Sequence, residues 1–148
     1  MNPFLNEYET PFKIPPFEAI EFNHYQPAFD QGMKEHLEEI DTIATNIEEP
    51  SFENTIEALE RSGKTLDKVS NVFLNLLGSN TNDDMDSLAM SISPRLSSHN
   101  DSILLNKKLF ELLNKKQLKD SIKLKFCDFV VINDKNIKIL KRNLFSII

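Results

Sequence analysis

The residue types able to do chemistry are sparse in this chain. Three histidines, His24, His36 and His99, and one cysteine, Cys127, are its only imidazole and thiol groups among 148 residues. A helical zinc site needs two imidazoles four residues apart, so that both rings reach one ion, with a glutamate between them to polarise a water. No two histidines stand at that spacing, and His36-Leu37-Glu38-Glu39 has the wrong order and no second histidine. A site made by tertiary convergence of the three rings stays open; the simpler reading is that they are hydrogen-bonded or surface residues. Cys127 lacks any local signature of a base and an orienting partner, and is expected as a small core residue. Glu38-Glu39 and Glu48-Glu49 are neighbouring carboxylates on a polar face or loop, expected to be solvated. Neither a glycine-rich phosphate cradle nor a Ser-His-Asp signature occurs. No residue is assigned a catalytic, cofactor-binding or metal-binding role.

The elements expected to position these groups are helices. Hydrophobic residues make up 40% of the chain, with only three glycines and no tryptophan, and long polar-apolar periodic segments favour an all-α fold over a turn-rich sandwich or barrel. The length suits one domain or part of one. The net charge of -6 hides an asymmetry: residues 1–104 carry 6 basic and 19 acidic side chains, residues 105–148 carry 11 and 4. The two halves attract each other. The lysines between Asn106 and Lys125 alternate with Leu109, Phe110, Leu113 and Leu118, which describes the solvated face of an amphipathic helix and not a nucleic-acid surface. A single cysteine allows no intramolecular disulfide and fits a reducing compartment. MNPFLNEYETPF lacks a basic and an apolar signal region, and no apolar run approaches the ~18 residues of a membrane span. A cytoplasmic protein without a membrane partner is expected.

Along the chain, residues 1–23 hold Pro3, Phe4, Pro11, Phe12, Pro15, Pro16 and Phe17, and read as an extended arm whose aromatics fasten it across the helices. A proline-rich ligand for a small recognition domain is the alternative. A first helix spans His24 to Asn46, with Pro27 in its opening turn and Phe29, Met33, Leu37, Ile40 and Ala44 along one side. Pro50 closes it. In SFENTIEALERSG, Asn54 followed by Glu57 has capping-box spacing, so a second, antiparallel helix begins near Asn54 and runs to about Leu77, with Ile56, Leu59, Leu66, Val69, Phe73 and Leu76 on its stripe. Gly63 within it permits a bend or a close helix contact, or is merely tolerated. A third helix starts around Thr81 to Asp84 and carries Met85, Leu88, Ala89, Ile92, Leu96 and Ile103, with a kink at Pro94. A fourth spans Lys107 to Lys119 and a fifth Ser121 to Ile132, although CDFVVI would also suit a short strand.

Read together, ETPFKIPPFEAIEFNHYQPAF, EEPSFENTIEALERSG, KVSNVFLNLLGSNTND and SPRLSSHNDSILLNKKLF resemble the N-terminal region of the oligopeptidase A and bacterial peptidyl-dipeptidase group, within the thimet-oligopeptidase family of zinc metallopeptidases. The resemblance is collinear from about Phe4 to Phe129. It implies an extended arm over 1–23, a helical N-terminal domain over 24–129, and a divergent tail over 130–148. In that tail DFVVINDKNIKILKR lacks a Gly-Ala-containing link and NLFSII departs altogether, as a truncated gene, an altered reading frame or a clone boundary would leave it.

The family's catalytic His-Glu-x-x-His and its zinc lie far downstream of the resembling region. The resemblance therefore implies a portion that is inert alone, contributing a wall of the channel that admits short peptides, with zinc and catalysis supplied by a catalytic region missing here. Apolar stripes meant for absent helices would make such a portion marginally stable and prone to self-association. A free-standing helical protein-interaction module without enzymatic activity is the alternative.

Overall fold

Prolines set the local geometry of the first 24 residues. Each fixes φ near the value a 3-10 turn needs and supplies no N–H donor; turns form at Pro3–Leu5, Pro11–Lys13, Phe17–Ala19 and Phe22–His24, joined by extended residues such as Asn6, Ile14 and Ile20. The computed structural model describes residues 1–116 and 120–129, and the chain divides into two compact units, Met1–Lys116 and Gln117–Ile148. Within the first unit, one aromatic does the fastening expected of the arm. Phe4 is fully buried, its ring 5.3 Å from that of Tyr25, and Lys68 adds a hydrogen bond to the Asn6 carbonyl at 2.9 Å while lying over the Tyr8 ring. Phe12, Phe17 and Phe22 are exposed instead. With turns opening on Pro3 and Pro11 and two more at Phe17 and Phe22, the arm does not lay every aromatic on the same side.

Three long helices carry the core. Helix α1 is Tyr25–Ala44; a π-helical turn at Phe52–Glu57 leads into the short α2, Ala58–Glu60, and α3 is Lys64–Ser79. Helix α4, Asp83–Leu104, begins on an Asn82 cap, its Oδ1 accepting from Met85 N at 2.9 Å, and continues through Pro94. Tyr25 meets Phe73 whereas His36 meets Ser62, so α1 and the segment Ser62–Ser79 run antiparallel. Asp30 meets Arg95 and His36 meets His99, so α4 runs parallel to α1. Gly32 lets α1 and α3 cross closely: a Cβ there would lie 2.8 Å from the Leu66 backbone nitrogen. The main cluster holds Phe4, Tyr25, Phe29, Met33, Leu66, Val69, Val72, Phe73, Met85, Leu88 and Ile92. A second cluster at the other end of α1 packs Ile40 and Ile43 against Leu109 and Leu112 of α5, Lys107–Lys116.

Several sequence expectations need correcting. The cap of the second helical segment is Ser51, not Asn54: Ser51 Oγ accepts from Asn54 N at 3.0 Å and Asn54 Oδ1 accepts from Ser51 N at 2.7 Å, so the reciprocal pair lies three residues upstream of the one read from Asn54 and Glu57. Replacing Ser51 with alanine is expected to lower stability by about 1 kcal/mol in urea denaturation, and an unchanged midpoint would show that the turn is held by its tertiary contacts. The bend that Gly63 permits is present: its φ of 76° is left-handed and separates α2 from α3. Leu37 and Ile56, expected on the apolar stripes, are exposed, and Ile43 and Val72, outside those stripes, are buried.

In the second unit, residues 120–129 form α6, Asp120–Lys123, followed by a 3-10 turn at Leu124–Phe126. The helix expected to continue through Ile132 ends there among the described residues, and the rest of that expectation, with residues 117–119 of the fourth helix and the tail over 130–148, lies outside them. Cys127, expected in a core, is exposed and donates its thiol proton to the Lys123 carbonyl. No strand occurs among the described residues, which bears out the all-α class, and none of their helices is long and apolar enough to cross a membrane.

Candidate functional site

Among the described residues, chemically capable side chains meet at the seam between the two apolar clusters. His36 projects from α1 and His99 from α4, each on the inward stripe of its helix: His36 falls three residues after Met33 and four before Ile40, and His99 seven after Ile92 and four before Ile103. Their rings lie 5.0 Å apart, with His99 Nε2 3.0 Å from His36 Nδ1. His36 Nε2 reaches Ser62 Oγ at 3.2 Å, and Ser62 Oγ donates to the Leu59 carbonyl at 2.7 Å.

This chain of contacts sets the tautomers. A hydroxyl has one proton, and Ser62 gives it to Leu59, so His36 Nε2–H must donate to Ser62 Oγ. His36 Nδ1 is then the acceptor and His99 Nε2–H the donor. His99 Nδ1 is left as a buried lone pair with no hydrogen-bond partner, in a side chain only 5% exposed. Burial, and secondarily the neighbouring His36, hold the His99 pKa below the ordinary 6.5. In this arrangement each ring carries its proton on Nε2 and leaves Nδ1 bare. Beside them Glu39 Oε2 accepts from Gly63 N at 2.7 Å, a carboxylate ending the turn that precedes α3.

Of the three histidines the structure thus unites two. His24 precedes α1 and lies twelve residues from His36, about 18 Å along a helix axis, where its Nδ1 accepts from Glu21 N at 3.0 Å. Among the described residues no group of three or more His, Cys, Asp or Glu side chains converges as metal ligands. The donor set at the seam is two imidazoles that spend their facing nitrogens on each other, and it does not fit a zinc site; the family resemblance places its zinc downstream of this region. Glu38 is solvated as expected, its Oε1 3.9 Å from Lys34 Nζ in an exposed pair. Glu39 remains surface-exposed but has a structural role that its polar neighbours did not announce. Convergence of the histidines, left open by the sequence, is realised for His36 and His99 only, as a hydrogen-bonded pair that no sequence motif marks. Its signal was a histidine occupying an apolar-period position in each of two helices, with Leu37 wrongly placed on the stripe where His36 sits.

No protein-family model matches the chain. Over 110 residues it is 43% identical to the dipeptidyl carboxypeptidase of Escherichia coli strain K12, and over 109 residues 38% identical to the dipeptidyl carboxypeptidase of Salmonella typhimurium strain LT2. Each match covers 74% of this chain and 16% of the relative, so the chain spans about one sixth of the length of the curated relatives it matches. Across those matched residues this chain is a relative of the dipeptidyl carboxypeptidases.

Proposed function

We propose that this chain supplies a non-catalytic, helical portion of a cytoplasmic zinc-dependent peptidyl-dipeptidase or oligopeptidase acting on short peptides, and that its helices contribute a wall of the substrate channel. The observation that carries this reading is the 110-residue match at 43% identity. Two features support it. The sequence contains no His-Glu-x-x-His, so the water-activating chemistry of such an enzyme has to come from other polypeptide. Large apolar side chains also stand in solvent at Ile47, Leu74, Met90, Leu104, Leu105 and Phe110, as on a piece whose neighbours cover it in a larger assembly. The role left to this portion is steric: it narrows the path to the site and excludes folded substrates.

The test has two arms. Purified chain supplied with zinc is expected to release no dipeptide from a short peptide, because without a polarised water or an activated nucleophile most of the barrier to peptide hydrolysis stays in place. Chelator-sensitive release would overturn the non-catalytic role. In the second arm, the chain is added to a dipeptidyl carboxypeptidase lacking its own matching sixth. Restored dipeptide release is expected. If activity does not return and the isolated chain sediments as a monomer with a sharp thermal transition, the free-standing interaction module is the better account.

A further inference from the structure

Beyond Ile92, α4 has one buried side chain, and it is polar: His99, with Leu96 and Ile103 only partly covered. The main apolar cluster holds the first half of this helix and the second cluster lies past the pair. Two polar contacts fasten the stretch between them to α1. One is the half-exposed Arg95–Asp30 ion pair, a kind of contact that contributes little in water. The other is the His99–His36 hydrogen bond, and since His36 also holds Ser62, a single ring ties α4, α1 and the turn before α3 together.

A hydrogen bond between two imidazoles needs one bare nitrogen at the contact. When both rings are charged, every ring nitrogen carries a proton, and two N–H groups face each other across the 3.0 Å separation. Among the described residues no carboxylate is hydrogen-bonded or ion-paired to either ring to relieve this. On α1, Glu39 is engaged with Gly63 N, Glu35 with Gln31 and Thr65, and Asp30 with Arg95. On the turn, Arg61 pairs with Glu57, and on α4 Arg95 is the cation a turn away. None of these groups is hydrogen-bonded to either ring among the described residues. We propose that the His36–His99 bond is a proton-released clasp, which holds the C-terminal half of α4 on α1 at neutral pH and frees it in mildly acidic solution.

The direction follows from linkage. His99 takes up its second proton at Nδ1, which is buried without a partner among the described residues, so the folded form resists charging and titrates below 6.5; at pH values under 6.5 the opened form, with that nitrogen in water, binds more protons than the clasped one. The clasp's contribution is complete above about pH 6.5 and drains away as pH falls through the lower folded value of His99.

Two measurements on the whole chain decide the matter. Nitrogen-15 spectra of the histidines at about pH 7.5 are expected to show both rings protonated on Nε2 and bare on Nδ1. Amide hydrogen exchange, corrected for its intrinsic pH dependence, is expected to quicken several-fold across residues 95–104 between about pH 7.5 and 5.5, while residues 66–76 of α3 stay protected. In His99→Gln the amide nitrogen takes the place of Nε2–H and cannot be charged further, so the acid-induced quickening across 95–104 should shrink. Equal pH dependence in the wild type and His99→Gln, or Nδ1–H on His99 at neutral pH, overturns the clasp. Should His99→Gln fail to fold, the wild-type tautomers and the wild-type exchange profile still decide it, a flat profile being the refuting result.

Discussion

Truncating Phe73 to alanine is expected to cost about 3–5 kcal/mol, a large fraction of the roughly 5–15 kcal/mol that holds a domain folded. Phe73 is 1% exposed and sits at the junction of the ring cluster. Its ring meets Phe29 edge-on at 5.4 Å and 88°, and Tyr25 at 5.3 Å and 63°. Tyr25 in turn holds Phe4, so removing the Phe73 ring also loosens the anchor of the N-terminal arm. Urea denaturation of Phe73→Ala beside Leu74→Ala makes the comparison within one helix. Leu74 is 57% exposed, and its truncation should fall within about 0.5 kcal/mol of wild type. Similar losses at the two positions would mean that the aromatic cluster is not the core of this unit.

Gly63→Ala is expected to be the most damaging single-carbon addition on the turn before α3, at about 2–4 kcal/mol from two separate causes. The φ of 76° places a residue with a Cβ in a left-handed conformation, which costs roughly 1–2 kcal/mol. The new carbon would also lie 2.9 Å from His36 Nδ1 and 3.1 Å from its Cγ, and moving that ring disturbs its bonds to Ser62 and His99. Combining Gly63→Ala with His36→Ala separates the causes. With the imidazole gone, the steric part disappears and a penalty of about 1–2 kcal/mol should remain. An unchanged penalty in the His36→Ala background would show that the ring plays no part.

Much of the fold was legible in periodicity, and the misses have physical causes. Phe29, Met33, Leu66, Val69, Phe73, Met85, Leu88 and Ile92 recur at helical spacing because one face of each helix leaves water, and all are buried in the main cluster. The error at Leu37 came from ranking positions by side-chain type: on that turn of α1 the inward direction belongs to His36, which hydrogen bonds satisfy. The misplaced cap near Asn54 has a similar origin. Asn54–Glu57 and Ser51–Asn54 both have the right spacing, and the chain reversal after the buried Pro50 selects the second. For the candidate site, single residues were visible but their partnership was not, since His36 and His99 stand 63 positions apart and belong to no motif.

Taken alone, the amino-acid order determined that this chain is helical, where its main apolar stripes run, and which proteins it is related to, because those properties reside in local spacing and in runs of residues that can be compared directly. Tertiary structure alone decided which histidines meet, which aromatics of the arm are covered, and that Gly63 turns the chain against an imidazole. Those outcomes depend on the rotation and approach of one helix relative to another, a distance of a few ångströms set by packing between residues far apart in the chain.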